Sequence, residues 1–188
     1  ISKLPWIKKQ VKSLSEQQRE QPREYIEGES IYFQGQRYLV KLQGTTGKGE
    51  VKLGHKYITI LTKPDTSTEQ KNTIIKDWYR QKLKEKIPAL LDKWEPEIGV
   101  KAEEWGIKQM RTKWGSCNQS AKRIWLNLEL AKKPLICLEY ILVHELIHLI
   151  ERKHSKHFIT LMDKHMPKWR QHREELNKLP VARSSWGY

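Results

Sequence analysis

The spacing of apolar residues divides the chain into a helical lead, a β-patterned stretch, a long helix, a hairpin and a closing run of helices. Trp6, Ile7, Val11 and Leu14 recur at helical intervals among lysines and glutamines, which predicts a helix over Pro5 to Arg19, ended by Pro22. From Tyr25 to Leu61 the runs are short and β-like: Ile31 to Phe33, Tyr38 to Leu42, Glu50 to Leu53 and Tyr57 to Leu61, with glycine-bearing turns between them. They predict a small antiparallel meander. Glu29 to Gly35 (ESIYFQG) resembles a cleavage sequence used to remove purification tags, but it lies inside this hairpin region and reads as native.

Ser67 and Thr68 suit the cap of a helix beginning at Glu69, whose inner face carries Ile74, Ile75, Trp78, Tyr79, Leu83 and Ile87. Pro88 predicts a kink or an end there, and Glu95 to Gly99 reads as a connector. Ile107 to Thr112 and Arg123 to Asn127 read as the two strands of a hairpin with a turn around Gln119 to Lys122. After Pro134, which suits a first helical turn, comes a helix apolar on all sides from Leu135 to Ile150. Such a helix belongs at the centre of a core. Lys156 to Lys164 and Trp169 to Leu179 predict two further helices separated by Pro167, and Val181 to Tyr188 is a patternless tail. The fold class that follows is α+β. Residues 1–68 form a helix and β-meander portion, and residues 69–188 carry the helices, within one compact unit.

The central helix carries the chemistry. His144, Glu145 and His148 make an H-E-x-x-H pattern, and residues four apart on a helix share a face, so two imidazoles can reach one metal ion. Glu145 falls on the same side, where its carboxylate can take a proton from water. Charged and hydrogen-bonding groups on so apolar a helix need a partner, and a metal ion supplies one. A catalytic zinc keeps three protein ligands and an open position. The spacing offers His154 or His157 as the third, and helix geometry does not choose between them.

Lys and Arg number 36 against 22 Asp and Glu, a formal charge of +14. A surface this basic attracts polyanions, so nucleic acid is a possible partner, but no nucleic-acid motif accompanies the charge. Two cysteines, Cys117 and Cys137, show no pairing pattern, which predicts a reducing, cytoplasmic setting; Cys137 reads as a small core hydrophobe. No run of 18 apolar residues is present, so no membrane partner is expected.

Four segments together resemble one family: MRTKWGSCN (Met110 to Asn118), IWLNLEL (Ile124 to Leu130), YILVHELIHL (Tyr140 to Leu149) and HSKHF (His154 to Phe158). They look like the YgjP-like metallopeptidase domain, related to the SprT-like zinc proteases, and MPKWRQHREEL (Met166 to Leu176) is similar to that family's C-terminal helix. The resemblance implies a zincin-like fold with a small antiparallel sheet on a central metal helix. It also implies a zinc site of the form H-E-x-x-H-x5-H, on His144, His148 and His154, which leaves His157, His55, His165 and His172 to structural or solvated roles. Three neutral imidazoles would lower a bound water's pKa toward neutrality, with Glu145 as general base for peptide hydrolysis. By the same resemblance, the hairpin from Ile107 to Asn127 would hold a polypeptide substrate in extended form.

Arg111, Lys113 and Asn127 are candidate substrate-binding residues by their place in the preceding hairpin; Asn127 also suits a turn cap. Trp114 reads as core, and Gly115 as a turn or a close backbone approach. Two other functions compete with the peptidase. One is a metal-dependent hydrolase of nucleotide phosphoanhydrides, which lacks a glycine-rich phosphate loop here; the other is a basic nucleic-acid-associated module with a zinc site.

Overall fold

A computed structural model describes residues 19–20, 23–178 and 181–182. The helix predicted over Pro5 to Arg19 lies outside them except for Arg19, which with Glu20 forms strand β1 (Arg19–Glu20). The remaining elements in chain order are β2 (Ser30–Phe33), β3 (Gln36–Gly44), β4 (Glu50–Leu53), β5 (Tyr57–Thr62), α1 (Thr68–Ile98), β6 (Glu104–Lys108), β7 (Gly115–Asn118) and β8 (Arg123–Asn127). A 3-10 turn (Leu128–Lys132) follows, then α2 (Leu135–Ile147), α3 (Lys156–His165), α4 (Trp169–Lys178) and β9 (Val181–Ala182). The architecture is α+β, as the pattern predicts.

The first sheet departs from a simple meander. Its order is β2-β3-β5-β4, with β5 parallel to β3 and antiparallel to β4. Burial explains the insertion. β5 carries Ile58 and Ile60, fully buried, whereas β4 buries only Val51, so the more apolar strand takes the centre and the charged one the edge. Gln34 and Gly35 both adopt positive φ in the turn between β2 and β3, the backbone that suits a two-residue hairpin. A β-carbon at Gly35 would lie 2.7 Å from Pro134 Cγ, and Gly35 N–H donates to the Lys132 carbonyl at 3.0 Å. The ESIYFQG segment is thereby built into the fold, and its turn seats the first sheet against the entrance to α2.

α1 runs unbroken through Pro88 and Pro96, against the expected interruption and the expected connector at Glu95 to Gly99. Ser67 and Gln70 close a capping box at its start, and Gly99, at φ 80°, ends it. An interior proline costs about 3 kcal/mol, but Ile87, Leu91, Trp94 and Ile98 continue the buried face beyond Pro88, at about 1.5–3 kcal/mol each. Packing therefore outweighs the local penalty.

The second sheet, β6-β8-β7, corrects the predicted hairpin. β6 pairs in parallel with β8, and the antiparallel partner of β8 is β7, Gly115–Asn118, rather than Ile107 to Thr112. Residues 109–114 form a loop because Asn127 satisfies it from below. Its amide donates to the Met110 and Lys113 carbonyls at 3.0 and 2.7 Å and its Oδ1 accepts from Met110 N–H at 3.3 Å. The sheet is mixed rather than purely antiparallel. β7 becomes its edge, lying beside α2.

α2 is buried around its whole circumference, from Cys137 and Leu138 to Leu146 and Ile147, and touches α1, β7, β8, α3 and α4. Pro134 stands just before the helix as its cap residue, not inside its first turn. The helix ends at Ile147, earlier than the apolar run suggests, and His148 keeps a helical backbone as its last turn.

Candidate active site

Helix α2 presents His144 and His148 one turn apart, and the chain then folds back so that the turn at 151–155 brings His154 to them. Ser155 accepts from Phe158 N–H and starts α3 at that point. His154 Nε2 lies 3.0 Å from His144 Nε2 and 3.2 Å from His148 Nε2. Nitrogens held at zinc's usual bond length in a tetrahedron lie about 3.3 Å apart, so the spacing is that of three ligands of one ion. His157 is exposed on α3 and stands outside the cluster.

The chemistry of the donors fits a cation. His148 Nδ1 is 2.9 Å from the Glu151 carbonyl, which only accepts, so Nδ1 carries the proton and Nε2 faces the cluster with its lone pair. The Glu151 carboxylate accepts from Lys153 N–H at 3.0 Å and holds the same turn. His144 Nδ1 is buried without a hydrogen-bond partner among the described residues. Burial pushes the His144 imidazolium down to about 3, with His148, His154 and Arg173 adding to the effect, and burial, His148 and Arg173 also lower His154. Neutral imidazoles with converging lone pairs repel unless a positive ion sits between them. Phe158 forms the floor, its ring centroid 4.9, 4.7 and 4.8 Å from those of His144, His148 and His154.

Glu145 is buried beside the cluster, and desolvation pushes its carboxyl up to about 8, against the lowering influence of Lys113. Its neighbour across the gap is Gly115, where a β-carbon would come within 2.6 Å of Glu145 Oε1. The close approach read for Gly115 is thus a contact with Glu145. Cys117, two residues along β7, has its thiol raised to about 11 by burial and by Glu145, which leaves it protonated and a poor nucleophile.

These residues line a cleft of about 750 Å³ that extends along β7 to α4. Of the three predicted substrate-binding residues, Lys113 lines it; Arg111 and Asn127 do not. Asn127 spends all four of its amide positions on the loop 110–113 and on Glu129 N–H, and so is a loop anchor and cap of the 3-10 turn. Trp114 is half-buried against the core under the Lys133 ammonium.

Sequence reasoning passed over Tyr140, Phe158, Gln119 and Arg173. Tyr140 and Phe158 were signalled: each stands four residues from a cluster histidine on a helical or near-helical path. Gln119 pins the turn after His148 by donating to the Leu149 and Ile150 carbonyls at 3.0 and 3.3 Å, and no local pattern marks it. Arg173 depends on how α4 docks. Trp169 stacks on Tyr140 with centroids 6.5 Å apart, and one turn later on both helices Arg173 stands by His144.

The family described as YgjP-like, metallopeptidase domain, matches residues 1–179. No curated protein matches the chain. Among solved structures, the metallopeptidase zymogen of Pyrococcus abyssi abylysin is similar at 20% identity, covering 48% of this chain and 90% of that one with a TM-score of 0.45. No helix among the described residues is long and apolar enough to cross a membrane. By its match over nearly the full length, the chain belongs to the YgjP-like metallopeptidase domain family and is a metal-dependent peptidase.

Proposed function

We propose that the chain is a zinc-dependent peptidase in which His144, His148 and His154 hold the ion and Glu145 is the general base. The observation that carries this reading is the convergence of three imidazole Nε2 atoms, 3.0 and 3.2 Å apart along two of their edges, directly beside a buried carboxylate. Three nitrogen donors with no thiolate or second carboxylate favour zinc over magnesium or calcium, and leave a coordination position open. When bound, the ion supplies positive charge that acidifies water and polarises a carbonyl.

The chain's own residues do the rest. Glu145 accepts the proton of the attacking water and returns it to the leaving nitrogen. Desolvation raises its affinity for a proton, and the positive charge of an ion held by the three imidazoles would lower it again, leaving the carboxylate free to accept. The Glu151 carbonyl keeps His148 in the ligating tautomer.

β7 orients the substrate. Asn127 N–H donates to the Trp114 carbonyl at 2.9 Å, so in the antiparallel register the hydrogen-bonded pairs are Trp114 with Asn127, Ser116 with Trp125 and Asn118 with Arg123. Gly115 and Cys117 then turn their N–H and C=O groups to the open edge, where an extended polypeptide completes the ladder. Backbone pairing of this kind tolerates many sequences.

Chelation tests the reading. Removal of bound metal abolishes hydrolysis of an unstructured protein, and one equivalent of zinc restores it. Hydrolysis that persists in chelator at full rate would overturn it.

A further inference from the structure

Three cations line the cleft, Lys113, Arg152 and Arg173, and all are exposed. Among the described residues none lies within ion-pair distance of a carboxylate, although pairs such as Arg80 with Asp77, Lys93 with Glu139 and Arg170 with Asp163 form elsewhere. In a chain of net charge +14 a lone lysine means little. What distinguishes these three is that they share one concave site in which, among the described residues, Glu145 is the single lining carboxylate.

Their positions bracket the histidine cluster. Lys113 lies in the loop two residues before the edge strand β7 and is close enough to Glu145 to oppose the effect of burial there. Arg173 lines the cleft from α4, near His144 and His154. Arg152 lies four residues past His148, in the turn that delivers His154.

We propose that the cleft selects polypeptide segments with acidic side chains on both sides of the scissile bond, and that its three cations, Lys113, Arg152 and Arg173, determine this specificity. The inference rests on the peptidase reading and names its substrate class. A peptide extended along β7 rises about 3.3 Å per residue, from the Lys113 end, where Gly115 abuts Glu145, to the Arg152 end, where Gln119 donates to the Leu149 and Ile150 carbonyls, while Arg173 lines the same cleft from α4. A polypeptide fits better than a polyphosphate or nucleic acid, because the open edge at Gly115 and Cys117 alternates donors and acceptors, which only another backbone matches. Cations facing a cleft with low-dielectric walls also raise the local concentration of acidic segments.

The test uses two peptides identical except for Glu or Gln on both sides of one scissile bond. Rates are measured on the zinc-loaded protein, and binding to Glu145→Gln by fluorescence anisotropy. The Glu peptide is favoured in both by about fivefold for each charge pair, mainly through KM, and the preference shrinks as salt rises. Arg173→Glu alone shrinks the preference, and Lys113→Glu combined with Arg173→Glu reverses its sign, favouring a Lys-flanked peptide, a result that a misfolded variant does not give. Equal binding and equal cleavage of the Glu and Gln peptides overturn the specificity and leave the peptidase intact. Preferential binding of the Glu peptide without any cleavage keeps the acidic selection and overturns the peptidase reading. Hydrolysis of a nucleoside triphosphate with neither peptide bound overturns both.

Discussion

Gly115 and Glu145 occupy adjoining space that no side chain can share: a β-carbon at residue 115 would lie 2.6, 2.8 and 2.9 Å from Oε1, Cγ and Cδ of Glu145. The edge strand and the helix approach so closely only because residue 115 has no side chain. Gly115→Ala therefore pushes the carboxylate from its place or moves β7 outward. A displacement near 1 Å costs about a hundredfold in rate, and the predicted outcome is a loss of that order in kcat/KM with zinc content preserved. Metal analysis beside steady-state kinetics checks it; undiminished activity would show that the contact does not position the base.

The histidines act as a set. His144→Ala, His148→Ala and His154→Ala each lose the metal, whereas His157→Ala, outside the cluster, retains it. Zinc stoichiometry after dialysis distinguishes them. Retention of one zinc by His154→Ala would remove it from the ligand set.

Phe158 supports all three imidazoles at 4.7–4.9 Å between centroids and is almost fully buried. Phe158→Ala should lower stability by about 3–5 kcal/mol. It should also weaken metal affinity, because the rings lose their floor. Denaturant unfolding with and without zinc reads both effects, and an affinity equal to wild type would limit Phe158 to the core.

Asn127→Ala leaves the Met110 N–H and the Met110 and Lys113 carbonyls without their partner. With the bond from Glu129 N–H also lost, four hydrogen bonds at roughly 1 kcal/mol each make the cost about 4 kcal/mol. The loop 110–113 loosens, and cleavage falls through substrate binding as Lys113 loses its setting. A variant as stable as wild type in urea would contradict the anchor role.

How much of this was legible in the sequence depends on the range of the forces involved. His144, Glu145 and His148 follow from a helical period within one apolar segment, and the capping of α1 by Ser67 is equally local. What failed was decided at a distance. Pro88 reads as a break until the buried face beyond it is counted. The partner of β8 could not be read from alternation, since Ile107 to Thr112 alternates well enough, and the choice fell to the amide of Asn127. Spacing left the third histidine open between His154 and His157, and the turn organised by Glu151 brings only the first into the cluster. Arg173 had no local signal, because it reaches the cleft through the stacking of Trp169 on Tyr140.

The most direct test of the central claim is a paired measurement on Glu145→Gln: zinc content and the rate of hydrolysis of an unstructured protein, against wild type. The amide keeps the shape of the side chain and makes no change to the three imidazoles, so zinc should bind at one equivalent. Proton transfer by a positioned base is worth about a hundredfold to ten-thousandfold, and the rate should fall by at least a hundredfold. A Glu145→Gln protein that holds zinc and cleaves as fast as wild type would contradict the account.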